Sequence, residues 1–168
     1  WKMACKDGPV FDLSGTAWTA APVLADSVQN VVFDNLEIKG EQVDSQNLWP
    51  PNGGIAVNGG ANVTIQNCYI HGWSIQNPTI GSDGNPFGGI TFYNNSVGGV
   101  VKNCILDGGP TNDSGIGIFG GSFLQGNVIE NVPRGIFVSD PATDVSGNQI
   151  FHLTYSIDPI VRENAILV

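Results

Sequence analysis

Phe33-Asp34-Asn35-Leu36-Glu37-Ile38 is the stretch on which the fold turns, because its outline recurs four more times. The repeats are Ile65-Gln66-Asn67-Cys68-Tyr69-Ile70, Val101-Lys102-Asn103-Cys104-Ile105-Leu106, Leu124-Gln125-Gly126-Asn127-Val128-Ile129 and Val145-Ser146-Gly147-Asn148-Gln149-Ile150. Each places two apolar residues around four others, and the second enclosed residue is always Asn or Gly. Those two residue types reach left-handed backbone conformations at least cost, so the position marks a sharp bend between two short strands. The third enclosed residue, Leu36, Cys68, Cys104, Asn127 or Asn148, is small or medium and suits an inward-facing ladder. A unit of this kind returning every few tens of residues is the coil of a solenoid.

A second signal precedes each bend. Gly54-Ile55-Ala56-Val57, Gly89-Ile90-Thr91-Phe92, Gly115-Ile116-Gly117-Ile118 and Gly135-Ile136-Phe137-Val138 all read glycine, apolar, variable, apolar. Period-two alternation turns Ile55, Val57 and their equivalents one way and the variable residue the other. A rung is therefore three short strands, and no segment carries a helical period.

These repeats resemble the right-handed parallel β-helix of the pectin-lyase-like superfamily, in which the short turn between the second and third sheets commonly holds an Asn, as Asn35, Asn67 and Asn103 do here. The resemblance runs from about Ser27 to the C-terminus and implies an all-β, right-handed parallel β-helix of about five to six rungs. It includes no catalytic motif of the superfamily, so it implies the fold and leaves the chemistry to the residues. On this reading residues 1–26 form an opening or capping segment, with Val10-Phe11-Asp12-Leu13 and Pro22-Val23-Leu24 as candidate strands, and residues 27–168 form the rungs.

The chain has 168 residues, 15 acidic against 6 basic, a formal charge of -9 and 23 glycines. One elongated domain fits that length, since a solenoid shares its core along its axis. The acidic balance argues against a nucleic-acid partner, and no apolar run is long enough to span a bilayer. An extracellular or cell-surface location is the expectation. The run Asn164-Ala165-Ile166-Leu167-Val168 falls where the second-sheet strand of a sixth rung is expected. The reading is thus a segment of a longer chain or a solenoid capped by end-to-end self-association.

Cys68 and Cys104 share a ladder position in successive rungs, with α-carbons roughly 4.8 Å apart by strand spacing. That separation suits a disulfide, and it equally suits two buried thiols stacked as small hydrophobes. Cys5 lies outside the repeat.

Function is expected at the connections. The links Ile38 to Ile55, Ile70 to Ile90 and Leu106 to Ile116 exceed the minimal link Ile129 to Ile136, and all three leave the same corner. Stacked insertions build a wall, here carrying Trp49, Trp73 and Phe87 with Asp44, Asp83, Asp107 and Asp113. The wall flanks the outward residues of the first sheet: Ala56 and Asn58, Thr91 and Tyr93, Gly117 and Phe119, Phe137 and Ser139. Aromatic rings beside amides and hydroxyls suit a sugar, which offers an apolar face and polar edges. Trp49, Trp73, Phe87, Asn58, Tyr93 and Phe119 are the candidate polysaccharide contacts. The same aromatics read equally as pins that fasten loops to the solenoid.

Catalysis finds less support. Glycoside hydrolysis uses two flanking carboxyl groups, and β-elimination of a uronate uses a base and a cation. The central floor holds neither. Asp83, Asp107, His71 and Arg134 are the candidates for a lyase or hydrolase, and Asp140 and Asp158 lie toward the last rungs. Lys39, His71, Asp107 and Glu130 form an outward column, explained most simply by alternating charge on stacked strands. Calcium could sit among the insertion aspartates, yet no loop repeats the oxygen-ligand spacing of a calcium site, so no cofactor is assigned. Asn62-Val63-Thr64, Asn94-Asn95-Ser96 and Asn112-Asp113-Ser114 match the N-glycosylation triplet. The leading expectation is an extracellular carbohydrate-binding or structural module. A polysaccharide lyase or hydrolase segment and a head-to-tail filament are the alternatives.

Overall fold

The computed structural model describes residues 8–15, 17–18, 21–40, 42–44, 53–76, 88–109, 115–138, 144–154 and 164–167. Among these there is no helix, and every strand pairing is parallel. Six strands make the first sheet: Val23–Asp26, Gly53–Asn58, Gly88–Tyr93, Ile116–Phe119, Arg134–Phe137 and Asn164–Leu167. Five make the second: Val32–Asp34, Thr64–Gln66, Val100–Lys102, Phe123–Gln125 and Asp144–Ser146. Six make the third: Val10–Asp12, Glu37–Lys39, Tyr69–His71, Ile105–Asp107, Val128–Glu130 and Gln149–Phe151. The chain passes through the three sheets in turn, as expected of a parallel β-helix.

The predicted bends are in axial register. Phe33, Ile65, Val101, Leu124 and Val145 pair across the second sheet, and Ile38, Ile70, Leu106, Ile129 and Ile150 pair across the third. Between them Asn35, Asn67, Asn103, Gly126 and Gly147 have φ of 60°, 54°, 55°, 66° and 66°. Each bend stays tied to the next rung, as in Asn67 N–H donating to Lys102 O at 3.1 Å and Asn103 N–H to Gln125 O at 3.0 Å. Three more left-handed corners accompany this one, at Ser27, Gly59 and Asn94, at Asn30, Asn62 and Gly98, and at Gly40, Gly72, Asn131 and His152.

Apolar side chains from the three sheets meet along the axis. Ile55, Ile65, Ile70, Ile90, Leu106, Ile118, Leu124, Ile129 and Ile136 are fully or almost fully removed from solvent. Each such side chain contributes about 1.5–3 kcal/mol of burial free energy. The second residue of three central first-sheet strands is a glycine because of this core. A Cβ at Gly54, Gly89 or Gly117 would lie 2.6 Å from a side-chain carbon of Ile70, Leu106 or Ile129, the closing residue of a rung.

Two expectations are corrected. Asn164–Leu167, expected in the second sheet, pairs with Arg134–Phe137 in the first. Ile90 pairs with Ile118, not Ile116, and Ile118 pairs with Ile136. The glycine equivalent to Gly89 and Gly135 is therefore Gly117, two residues later than the Gly115-led tetrad implied. Ile116 aligns instead with Gly88 and Arg134. In that register Gly117 sits against Ile129, as Gly89 does against Leu106.

Below the cysteines the inward ladder turns polar. Cys68, Cys104 and Asn127 are buried, and Asn127 bridges neighbours on both sides. Its Oδ1 accepts from Cys104 N–H at 2.9 Å, and its Nδ2 donates to Val101 O at 3.0 Å and Asn148 Oδ1 at 2.9 Å. Asn148 Nδ2 repeats the motif by donating to Leu124 O at 2.8 Å. Cys68 and Cys104 are thiols, not a disulfide.

Two insertions begin with structure the sequence reading lacked. Gln42–Asp44 and Ser74–Gln76 join Ala17–Trp18 in a fourth, three-stranded parallel sheet. The N-terminal segment thus supplies strands to three sheets: Val10–Asp12 to the third, Ala17–Trp18 to the fourth and Val23–Asp26 to the first.

Candidate functional site

The outer face of the first sheet carries two columns. Along one, Leu24, Ala56, Thr91, Phe119 and Phe137 are in register. Ala56 and Thr91 have no exposed surface, whereas Phe119 and Phe137 are half-buried. Along the other, Asp26, Asn58 and Tyr93 align, with Tyr93 only 9% exposed. The accessible apolar parts of this face therefore lie at Leu24 in the earliest rung and at Phe119 and Phe137 in later ones, not at the centre.

Phe119 and Phe137 have ring centroids 5.2 Å apart and planes at 3°. Parallel rings that close overlap face to face with an offset, since side-by-side rings would collide. The pair consequently shares one ring face between its members and turns edges toward solvent.

A polar ladder runs along the strand ends of the three earlier rungs. Asn58 Nδ2 donates to Asp26 Oδ1 at 2.8 Å, and Asn94 Nδ2 donates to Asn58 Oδ1 at 2.8 Å. Each amide keeps further donor or acceptor capacity. Burial, with the Asp26 charge as the lesser cause, pushes the Tyr93 phenol above its ordinary range.

The other sequence candidates separate. Trp73 is a correction: it is 1% exposed and belongs to the core, with its Cη2 3.1 Å from where a Cβ at Gly89 would stand. A side chain so enclosed offers no stacking surface, and its role is packing. Tyr93, nearly closed off, likewise presents little to a ligand. Trp49, Phe87, Asp83, Asp113, Asp140, Asp158, Ser139, Cys5 and the Asn112 triplet lie outside the described residues. The backbone of Asp44 lies in the fourth sheet.

His71 and Asp107 align on the outer face of the third sheet, away from the aromatic strip. His71 Nε2 lies 3.1 Å from Glu37 Oε1, and its ring stacks on Tyr69 at 4.1 Å and 12°. Asp107 Oδ1 accepts from Asn131 Nδ2 at 2.7 Å and from Gly109 N–H at 3.0 Å. At the end of the same column Lys39 Nζ pairs with Asp12 Oδ2 at 2.9 Å. His71 thus engages the diagonal Glu37, and the column stabilises stacked strands through charge and hydrogen bonds. Burial, followed by the charges of Asp107, Glu37 and Glu130, raises the Tyr69 phenol.

Among the described catalytic candidates Arg134 alone stands in the first sheet, where it aligns with Ile116. Its Nε is buried without a hydrogen-bond partner. The candidates that are described therefore fall on two sheets and do not converge on one reacting atom. Among the described residues no group of three or more His, Cys, Asp and Glu side chains is placed to hold a metal ion. No helix among them is long and apolar enough to cross a membrane.

The Phe119–Phe137 pairing followed from a signal present in the chain. Gly117-Ile118-Phe119 and Gly135-Ile136-Phe137 are identical tripeptides, and aligning them gives the observed register. The Asp26–Asn58–Asn94 ladder had a signal of its own, since each member stands nine residues before the bend of its rung at Asn35, Asn67 or Asn103.

Comparison with curated proteins gives no match, and comparison with solved structures gives none. The model of the right-handed β-helix region matches residues 13–150. With successive rungs in parallel register over that span, consistent with the pectin-lyase-like superfamily, the chain belongs to the right-handed β-helix family.

Proposed function

We propose that this solenoid is an extracellular polysaccharide-binding module that uses the outer face of its first sheet. The observation that carries the reading is the half-exposed Phe119–Phe137 pair, in register on adjacent rungs of the sheet that bears the Asp26–Asn58–Asn94 ladder. Apolar edges on a sheet with hydrogen-bonding amides match the mixed surface of a pyranose. The formal charge of -9 and Asp26 on the face favour a neutral glycan over an acidic one. Separation of His71 and Asp107 from Arg134 favours binding over turnover.

Affinity electrophoresis against neutral and acidic polysaccharides, with and without calcium, tests this reading. Retardation by a neutral glycan is expected without release of reducing ends or unsaturated products. Phe119→Ala and Phe137→Ala should each weaken it several-fold while leaving the thermal midpoint close to the parent's. Turnover that Asp83→Asn or Asp107→Asn abolishes would establish the lyase or hydrolase alternative instead.

A second reading, end-to-end association of solenoids, is favoured by Phe11 and Ile166. Both align with core residues, Ile38 and Ile136, yet they are 40% and 46% exposed. Solution molar mass rising with concentration, and reversed by Phe11→Ser, supports it. A concentration-independent monomer rejects it.

A further inference from the structure

We propose that Cys68 and Cys104 form a redox-active pair that closes to a disulfide and fastens the second rung to the third. The two residues stand at the same place behind consecutive bends. Ile65 pairs with Val101 and Tyr69 with Ile105, and Ile105 N–H donates to Cys68 O at 2.9 Å. Their side chains adopt equivalent positions, with Cys68 Sγ 3.2 Å from Gln66 O and Cys104 Sγ 3.5 Å from Lys102 O. Adjacent strands set α-carbons about 4.8 Å apart, inside the range a disulfide accepts.

Closure requires movement. A disulfide brings β-carbons to about 3.8 Å, so the two bends must draw together by about an ångström. The bond is therefore strained, and it is more easily reduced than a relaxed structural disulfide. Both thiols are 1% exposed. They lie directly behind Asn67 and Asn103, which are exposed, so opening of two bends suffices to admit a small reagent. The neighbouring Cys104 side chain lowers the Cys68 thiol against the opposing effect of burial, which favours Cys68 as the first nucleophile.

With a low-molecular-weight disulfide as oxidant, the Cys68 thiolate attacks one sulfur, breaks the reagent's S–S bond and releases one thiol. Cys104, deprotonated in turn, attacks the Cys68 side of the mixed disulfide and releases the second thiol. Two protein thiols and one reagent disulfide become one protein disulfide and two reagent thiols. The loop so closed contains the insertion between Ile70 and Ile90, and this cross-link restricts chiefly the unfolded chain.

The test uses the full chain carrying Cys5→Ser, equilibrated natively across a series of reduced and oxidised glutathione, then acid-quenched and digested with trypsin without reduction. Cleavage at Lys39, Lys102 and Arg134 puts Cys68 in residues 40–102 and Cys104 in residues 103–134. The expected result is a linked pair of these peptides, lighter than their sum by two hydrogens, and a thermal midpoint several degrees above the reduced form. Cys104→Ala should abolish the linked pair and leave Cys68 as a glutathione adduct at most. Two free thiols across the whole series, or separate adducts on both cysteines without the linked peptide, would overturn the proposal.

Discussion

Replacing Asn127 with Ala should destabilise the solenoid more than any surface change on the same rung. The side chain is 0% exposed, and its Oδ1 is the acceptor for Cys104 N–H at 2.9 Å. Its Nδ2 supplies Val101 O and Asn148 Oδ1, and Asn148 Oδ1 also receives the Asn127 N–H at 3.0 Å. Removing the amide deprives the buried Cys104 N–H of that acceptor, at about 1–3 kcal/mol, and deletes two further bonds worth about 0.5–1.5 kcal/mol each. The sum is about 2–6 kcal/mol, and at about 2–4 °C per kcal/mol for a chain of this size the thermal midpoint falls by about 4–24 °C. Circular dichroism melts at fixed concentration under reducing conditions measure it. Asn127→Leu separates the polar contribution from volume, since Leu fills similar space and still leaves Cys104 N–H without its acceptor. Amide hydrogen exchange at Cys104 should quicken in both variants. A melt of either variant within about 2 °C of the parent would refute the view that this amide holds the two rungs together.

Further outcomes follow from other positions. Asn103 has φ of 55°, so Asn103→Ala should lose about 1–2 kcal/mol in urea denaturation, whereas Asn103→Gly should stay near the parent. Gly89→Ala drives a Cβ to 2.6 Å from Leu106 Cδ2 and should cost about 1–3 kcal/mol, with part recovered when Leu106 is also shortened in a double-mutant cycle. Asp12 is held down to about 2, from an ordinary 3.8, by the hydrogen bond of Lys39 and then those of Ser14. A lowered carboxyl stabilises the fold fully above its unfolded value and loses that contribution as pH falls through the folded one. The stability gap between the parent and Asp12→Asn should therefore close between pH 3.8 and about 2 when melts are compared across that window. Unchanged spacing of the two curves throughout that range would contradict the assignment.

The repeated bend was legible in the chain because one backbone requirement, a left-handed residue at a fixed place in every rung, restricts the side chain to Asn or Gly. The closing Ile and Leu residues were legible for a related reason, since a shared core filters residue type identically in each rung. These two constraints determined the fold and the axial register of the second and third sheets. The first sheet was less determinate around Gly115 and Gly117, where both glycines satisfy the local pattern and strand pairing selects Gly117, whose Cβ position faces Ile129. The site depended still more on tertiary structure. Alternation says that Thr91 and Phe119 point outward, but not that Thr91 is closed off while Phe119 stays half-exposed, because covering groups come from distant segments. Trp73 showed the same limit from the other side. Its place in an insertion suggested a binding wall, and the volume beside Gly89 drew it into the core. The pairing of His71 with Glu37 was likewise decided in three dimensions, since that side chain reaches diagonally across rungs while sequence pattern records only columns.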